Sequence, residues 1–349
     1  MSAPVLLTVS GTIPDDLQVS IAAGRRPRTD YVEMAKAFDA ELLDRSGALG
    51  ATGGLGRLLQ RLGPNMPLVW ACFRRARRHR VVFTDGEQVG IPYAALTWLA
   101  RRRPRHVMIG HVLSPRKKAL LHRLLRLQRR VDVVVVYCSA QQRYAIDELG
   151  YRPEQVVLST FTVDTEFWRP EHVTVAATPR PLLCAVGQEL RDYPTLVAAV
   201  RDLDVDVAIA AVSPWSKRAD SAAAIEIPAN VTARGYDLFA LRQLYADARL
   251  VVVPLQETDF QAGITTILEA MSMGKAVVCT STTGQTDTIV DGQTGVYVPA
   301  GDSDAMRAAI RRLLADPAAA ERLGANARDW VVANAGLDGY VQRLHALIT

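Results

Sequence analysis

Nine short apolar runs, separated by segments of helical character, constrain this chain more than any other feature. In the first half they are "VLLTVS" (5–10), "RVVFT" (80–84), "RHVMIG" (105–110) and "VDVVVVYCS" (131–139). In the second they are "PLLCAVG" (181–187), "VDVAIAAV" (205–212), "LVVVP" (250–254), "AVVCT" (276–280) and "GVYVP" (295–299). Stretches such as "TDYVEMAKAFDAELL" and "KKALLHRLLRLQRR" lie between them and read as helices. A strand covered on both faces is a near-continuous apolar run, and strands joined through helices pair in parallel. The expectation is an α/β chain in which each half builds its own parallel sheet.

A length of 349 residues suits two domains better than one core. The boundary falls in "FTVDTEFWRPEHVTVAATPRP" (161–181), where three prolines and a polar stretch break the pattern. The expected division is 1–167, 168–330 and a closing helical segment, 331–349. Hydrophobic content of 49% excludes a disordered chain. The opening "MSAPVLLTVSGTIPDD" reads as a first buried strand and lacks the basic start of a signal peptide. No apolar run reaches the roughly 18 residues of a membrane span. Cys72, Cys138, Cys184 and Cys279 are widely spaced, form no C-x-x-C pair and mostly sit inside apolar runs, so they read as core thiols of a reducing compartment. A cytoplasmic protein is expected.

Charge divides the halves. Residues 1–167 carry 25 Lys or Arg against 15 Asp or Glu, and the rest carries 16 against 21. That asymmetry assigns an anionic partner to the first half. Its densest segment, "SPRKKALLHRLLRLQRR" (114–130), has seven Lys or Arg, no acid and five leucines. It reads either as an amphipathic helix touching an anionic membrane at its inner face or as a core-facing leucine stripe with a solvated basic side. No motif accompanies the charge to argue for nucleic acid.

In doubly wound sheets ligands sit at the carboxyl ends of strands. The loop "LQETDFQAG" follows one such run and feeds a helix over 264–273, with Gly274 as its cap. The N–H groups of Gly263, Ile264 and Thr265 and the helix dipole suit phosphate oxygens. Glu269 sits a turn and a half into that helix on a covered face, where it needs partners. Two ribose hydroxyls would serve, as would water reached by snorkelling or an Arg. In the first half His111 follows "RHVMIG" directly, and "TDGEQVGIP" (84–92) brings Asp85 and Glu87 to another strand end. They read as carboxylates that could hold hydroxyl groups or as parts of an Asp-Gly turn, and His111 as a site residue at the strand end or one satisfied by backbone. The histidines show no metal-ligand spacing, so no metal and no cofactor is expected.

"LEAMSMGKAVV", "TIVDGQTGVYVPAGD" and "GYDLFALRQLYADARLVVVP" closely resemble the nucleotide-binding half of family-4 retaining glycosyltransferases of the GT-B fold. The likeness runs over roughly 180–320; before 160 only the architecture and a few loops agree. It implies two Rossmann-like domains with parallel sheets facing across a cleft, an acceptor-binding first domain, a nucleotide-sugar-binding second domain and a last helix that crosses back. It also implies transfer of a sugar from a nucleotide diphosphate to a hydroxyl acceptor, such as a cell-envelope glycolipid, a polysaccharide or a natural product, without metal. The family's Arg beside the strand-end Gly is replaced by Gln188, and Arg191 falls where its Lys would stand, as the candidate phosphate clamp. His111 stands where a family His contacts the donor sugar. Gln261 lies eight residues before Glu269, where the family's first Glu would face that sugar. An inverting GT-B transferase, a nucleotide-sugar epimerase and a non-catalytic nucleotide-sugar binder remain alternatives.

Overall fold

The computed structural model describes residues 4–211 and 227–349. Val212, the end of one predicted run, lies outside them. Twelve strands are described: β1 Val5–Thr8, β2 Ala40–Leu43, β3 Val81–Thr84, β4 Arg105–Ile109, β5 Val133–Val136, β6 Val156–Leu158, β7 Leu182–Val186, β8 Asp206–Ala210, β9 Val231–Arg234, β10 Leu250–Val253, β11 Ala276–Ser281 and β12 Val296–Pro299. They form two six-stranded sheets, in the orders β2-β1-β3-β4-β5-β6 and β12-β11-β10-β7-β8-β9. Every paired neighbour is parallel.

The nine apolar runs all contain strands, because β1, β3, β4, β5, β7 and β10 are buried along nearly their whole length. Three strands escaped the sequence reading, and all three are sheet edges. An edge strand has only one paired side and a half-wet face, so the apolar run that marks a central strand is not required of it. β9 is mostly exposed, and β6, although apolar, is only three residues long, Val156–Leu158. β2 corrects the reading of "TDYVEMAKAFDAELL" as one helix. The helix stops at Ala37, Asp39 takes φ 49°, and "AELL" runs as a strand beside β1. Ala, Glu and Leu are strong helix formers, so local propensity pointed the wrong way and sheet pairing overrode it.

The chain forms two compact units. The first holds residues up to Ala22, Arg28–Thr160 and Asp338–Thr349; the second holds Ala23–Pro27 and Phe161–Leu337. The division at Thr160 precedes the proline-rich stretch, because Val163, Phe167 and Trp168 are buried in the second unit's core. Val331 and Ala335 belong to that same core, so the closing segment joins the first unit only from Asp338. There the Tyr340 hydroxyl hydrogen-bonds that of Tyr137, the residue following β5. The four cysteines are buried. Among the described residues no helix is long and apolar enough to cross a membrane.

Candidate functional site

In the second unit the loops after β7 and β10 are pinned together. The Gln256 N–H donates to the Leu190 carbonyl at 3.0 Å and the Asp192 N–H to the Pro254 carbonyl at 3.0 Å. After β10 the chain enters the helix Ile264–Ser272 through Gly263, which has φ 73°. A Cβ there would stand 3.0 Å from Leu255 and 3.1 Å from Val253, so both conformation and space require glycine. No side chain caps this helix, and the first-turn N–H groups of Ile264 and Thr265 have no protein acceptor among the described residues. An uncapped N-terminus of this kind presents donors and a partial positive charge to an anion.

Arg191 is brought to the same helix end. Its Nε donates to the Val186 carbonyl at 2.9 Å, one terminal nitrogen to the Glu189 carbonyl at 2.9 Å and the other to the Thr266 hydroxyl at 3.2 Å. Gly187, at φ 102°, makes this approach feasible; a Cβ on it would lie 2.4 Å from the guanidinium. Burial lowers the guanidinium's pKa, against weaker opposition from Tyr193 and Cys279. No carboxylate among the described residues lies within ion-pair distance of Arg191. A guanidinium has five N–H donors, and three are used here. Arg191 is therefore a half-buried cation with donors to spare. Gln188, by contrast, is exposed.

Glu269 is buried on the same helix and neither snorkels nor pairs with an arginine. Its carboxylate accepts a hydrogen bond from the Tyr245 hydroxyl at 2.9 Å. Burial pushes its pKa up to about 8, with the Tyr245 bond opposing. Tyr245 is itself fixed edge-on against Trp168, with ring centroids 5.6 Å apart. Tyr245 and Thr266 are partners that the sequence reading passed over, although "LRQLYADARLVVVP" contains the tyrosine. Gln261 donates from Nε2 to the Thr288 hydroxyl at 2.9 Å, while its buried Oε1 has no partner. In the next loop Gly284 packs directly on the Phe260 backbone, and Asp302 caps the helix Ser303–Ala315 through the Ala305 N–H.

The first unit gathers its candidates at the carboxyl ends of β1, β3 and β4. The His111 backbone N–H donates to Glu87 Oε2 at 3.0 Å, and ring Nε2 lies 3.0 Å from the Asp85 carbonyl. A carbonyl only accepts, so Nε2 carries the proton in this contact and Nδ1 is left unprotonated in the neutral ring. Buried Glu87 also receives Lys118 Nζ at 2.6 Å. The Asp85 carboxylate accepts from the Ser10 N–H at 2.7 Å and the Ser10 hydroxyl at 2.9 Å. Burial raises its pKa, with the Ser10 bonds and His111 opposing and Asp30 reinforcing. Asp30, first residue of the helix Asp30–Ala37, is raised by burial as well. It was not singled out in the sequence because nothing near "RRPRTDY" marks it as covered. Glu87 and Asp85 are thus engaged with protein groups rather than open. Among the described residues no group of three or more His, Cys, Asp or Glu is arranged to hold a metal ion.

Residues 185–316 match the family model described as "Glycosyl transferases group 1". A GDP-mannose-dependent alpha-(1-6)-phosphatidylinositol monomannoside mannosyltransferase of Mycolicibacterium smegmatis is 40% identical over 67 residues, 19% of this chain and 18% of that protein. The lipopolysaccharide core biosynthesis mannosyltransferase LpcC of Rhizobium leguminosarum bv. viciae is 39% identical over 94 residues, 27% of this chain and 26% of that protein. The matched segments thus span only about a fifth to a quarter of the length of these curated relatives. Among solved structures, Anabaena HepE in complex with UDP-glucose superposes with a TM-score of 0.71 at 15% identity, over 99% of this chain and 98% of that one. The sucrose-phosphate synthase of Thermosynechococcus elongatus gives 0.72 at 18% identity, over 99% and 98%. The fold of this chain, two six-stranded parallel sheets with helices around them, is that of the GT-B glycosyltransferase structures.

Proposed function

We propose that this protein is a glycosyltransferase that moves a sugar from a nucleoside diphosphate to a hydroxyl acceptor with retention of anomeric configuration. One observation carries the reading: a half-buried arginine with spare donors, Arg191, is held at the uncapped amino end of the helix that also bears the buried carboxyl group of Glu269. The diphosphate would lie against Arg191 and the N–H groups of Gly263, Ile264 and Thr265. The ribose hydroxyls would reach Glu269 and the sugar would meet Gln261. In the reaction the bond from the anomeric carbon to the phosphate oxygen breaks and a bond to the acceptor oxygen forms. The acceptor's proton passes to the departing phosphate, so the protein's task is to position the reactants and stabilise negative charge. Arg191 and the helix amides supply that stabilisation without a metal ion.

The relatives named above make GDP-mannose and UDP-glucose the first donors to try, and an envelope glycolipid, polysaccharide or natural-product hydroxyl the acceptor class. The test has two arms. Thermal-shift titration with GDP, UDP, ADP and dTDP identifies the base, and release of free nucleoside diphosphate across an acceptor panel, with and without EDTA, reads turnover. Binding without turnover on any acceptor would make the protein a nucleotide-sugar binder, and a product of inverted anomeric configuration would overturn retention.

A further inference from the structure

The first unit carries a cationic and apolar surface that the donor reading does not use. Residues 45–131 hold 19 Lys or Arg and two carboxylates, Asp85 and Glu87. Both carboxylates follow the carboxyl end of β3, where Ser10, His111 and Lys118 engage them. The amino-terminal rim of the same sheet is different. Arg80 and Arg105 stand at the starts of β3 and β4, and an open groove there is lined by them together with Arg77, Arg101, Arg102 and Leu99. Among the described residues no carboxylate pairs with Arg101, Arg102, Arg126 or Arg129, whereas Arg103 and Arg123 are held by Asp132 and Glu148.

Large apolar side chains project among these cations. Leu99 is 78% exposed, Leu124 71% and Leu120 59%. Of the five leucines in the basic segment only Leu127 is buried, so the core-facing stripe that the sequence allowed does not form. The two segments make one surface. Trp98 Nε1 donates to the Leu125 carbonyl at 2.9 Å, and the Arg130 guanidinium lies over the indole ring, 3.7 Å from its centroid. Clustered exposed aliphatic groups mark an interaction surface, and the unpaired arginines among them select an anionic partner. Nucleic acid offers phosphate but nothing for projecting leucines. An anionic bilayer offers phosphate to the arginines, acyl chains to the leucines and an interface to the indole.

We propose that the rim formed by Trp98–Arg105 and the exposed side of Arg116–Arg130 docks on an anionic lipid bilayer. This assignment is independent of the donor site, and its test needs no nucleotide. The full chain is floated with vesicles of phosphatidylcholine alone and of equimolar phosphatidylcholine and phosphatidylglycerol, at low and high salt. Binding is expected to the anionic vesicles only and to fall with salt. The Arg101→Ala/Arg102→Ala variant should bind about 25-fold more weakly, roughly fivefold per arginine. The Leu99→Ser/Leu124→Ser variant should lose about tenfold or more with its salt dependence kept. All four side chains are exposed, so thermal melts should match the parent and exclude misfolding as the cause. Absence of binding to anionic vesicles, or variants that float like the parent, overturns the proposal. A single-stranded oligonucleotide that binds more tightly than the anionic vesicles do, and binds the Leu99→Ser/Leu124→Ser variant like the parent, would reassign the surface to nucleic acid.

Discussion

The two units place charged side chains at the carboxyl ends of parallel strands and leave them in opposite states. In the first unit Glu87 joins the His111 backbone to Lys118, and Asp85 holds Ser10. These groups satisfy one another. In the second unit Arg191 has no carboxylate partner among the described residues, and Glu269 has a single neutral partner, Tyr245. Covering an ionisable group without a counter-charge costs stability, as desolvated charge for Arg191 and as a raised pKa for Glu269, and such a cost is kept where a ligand later supplies the missing contacts. On the function proposed above, the first pair does structural work and the second binds ligand. It can be broken residue by residue.

The largest effect is expected at Arg191. Arg191→Ala should lower kcat/KM about 100- to 1000-fold, the range for losing a preorganised donor to developing charge. Arg191→Lys should recover little, since an ammonium cannot reproduce the three planar contacts. Steady-state kinetics on the identified donor decides this, and a variant within tenfold of the parent would remove Arg191 from the site.

Glu269 comes next. Glu269→Ala should weaken the free nucleoside diphosphate roughly ten- to hundredfold, about 1.5 to 3 kcal/mol, measured by titration calorimetry. The pH dependence follows from a carboxyl raised from 4.5 to about 8 in the fold. Between those values the native state holds the extra proton, so the contribution of Glu269 to stability falls as pH rises and levels off above about 8. Glu269→Gln keeps an acceptor for Tyr245 and should therefore raise the melting temperature of the free protein at pH 8 but not at pH 4.5. If ribose binding selects the ionised form, affinity for the diphosphate should climb from pH 6 to 8, and Glu269→Gln should flatten that climb.

In the first unit the expectation reverses. Glu87→Ala should cost about 2 kcal/mol of stability by stranding Lys118 and the His111 N–H, read by urea denaturation. Nucleotide affinity should stay unchanged; a clear loss of it would end the contrast between the units. The smallest effect is assigned to Gln261, which already spends its amide nitrogen on Thr288. Gln261→Glu and Gln261→Ala should each lower turnover by roughly three- to tenfold and leave diphosphate affinity within about twofold, the scale of losing one neutral hydrogen bond to the sugar. Two variants that turn over like the parent would place Gln261 outside the sugar's reach.

The sequence alone determined the central strands and the helix that carries Glu269, because both depend on the local pattern of apolar residues. It also determined that Gly263 precedes this helix and that Gln188 and Gln261 depart from the expected charges, since identity and spacing are one-dimensional facts. Tertiary structure decided the rest. Pairing, rather than propensity, made "AELL" an edge strand beside β1. Packing of Val163 and Phe167 moved the division between units ahead of the prolines. Arg191 became a half-buried cation because the chain folds it back over Gly187 onto Thr266, a residue 75 positions away. Tyr245, 24 positions from Glu269, became that carboxylate's partner in the same way. The ionisation of a buried group depends on which dipoles and charges surround it in space, and no spacing along the chain encodes that neighbourhood.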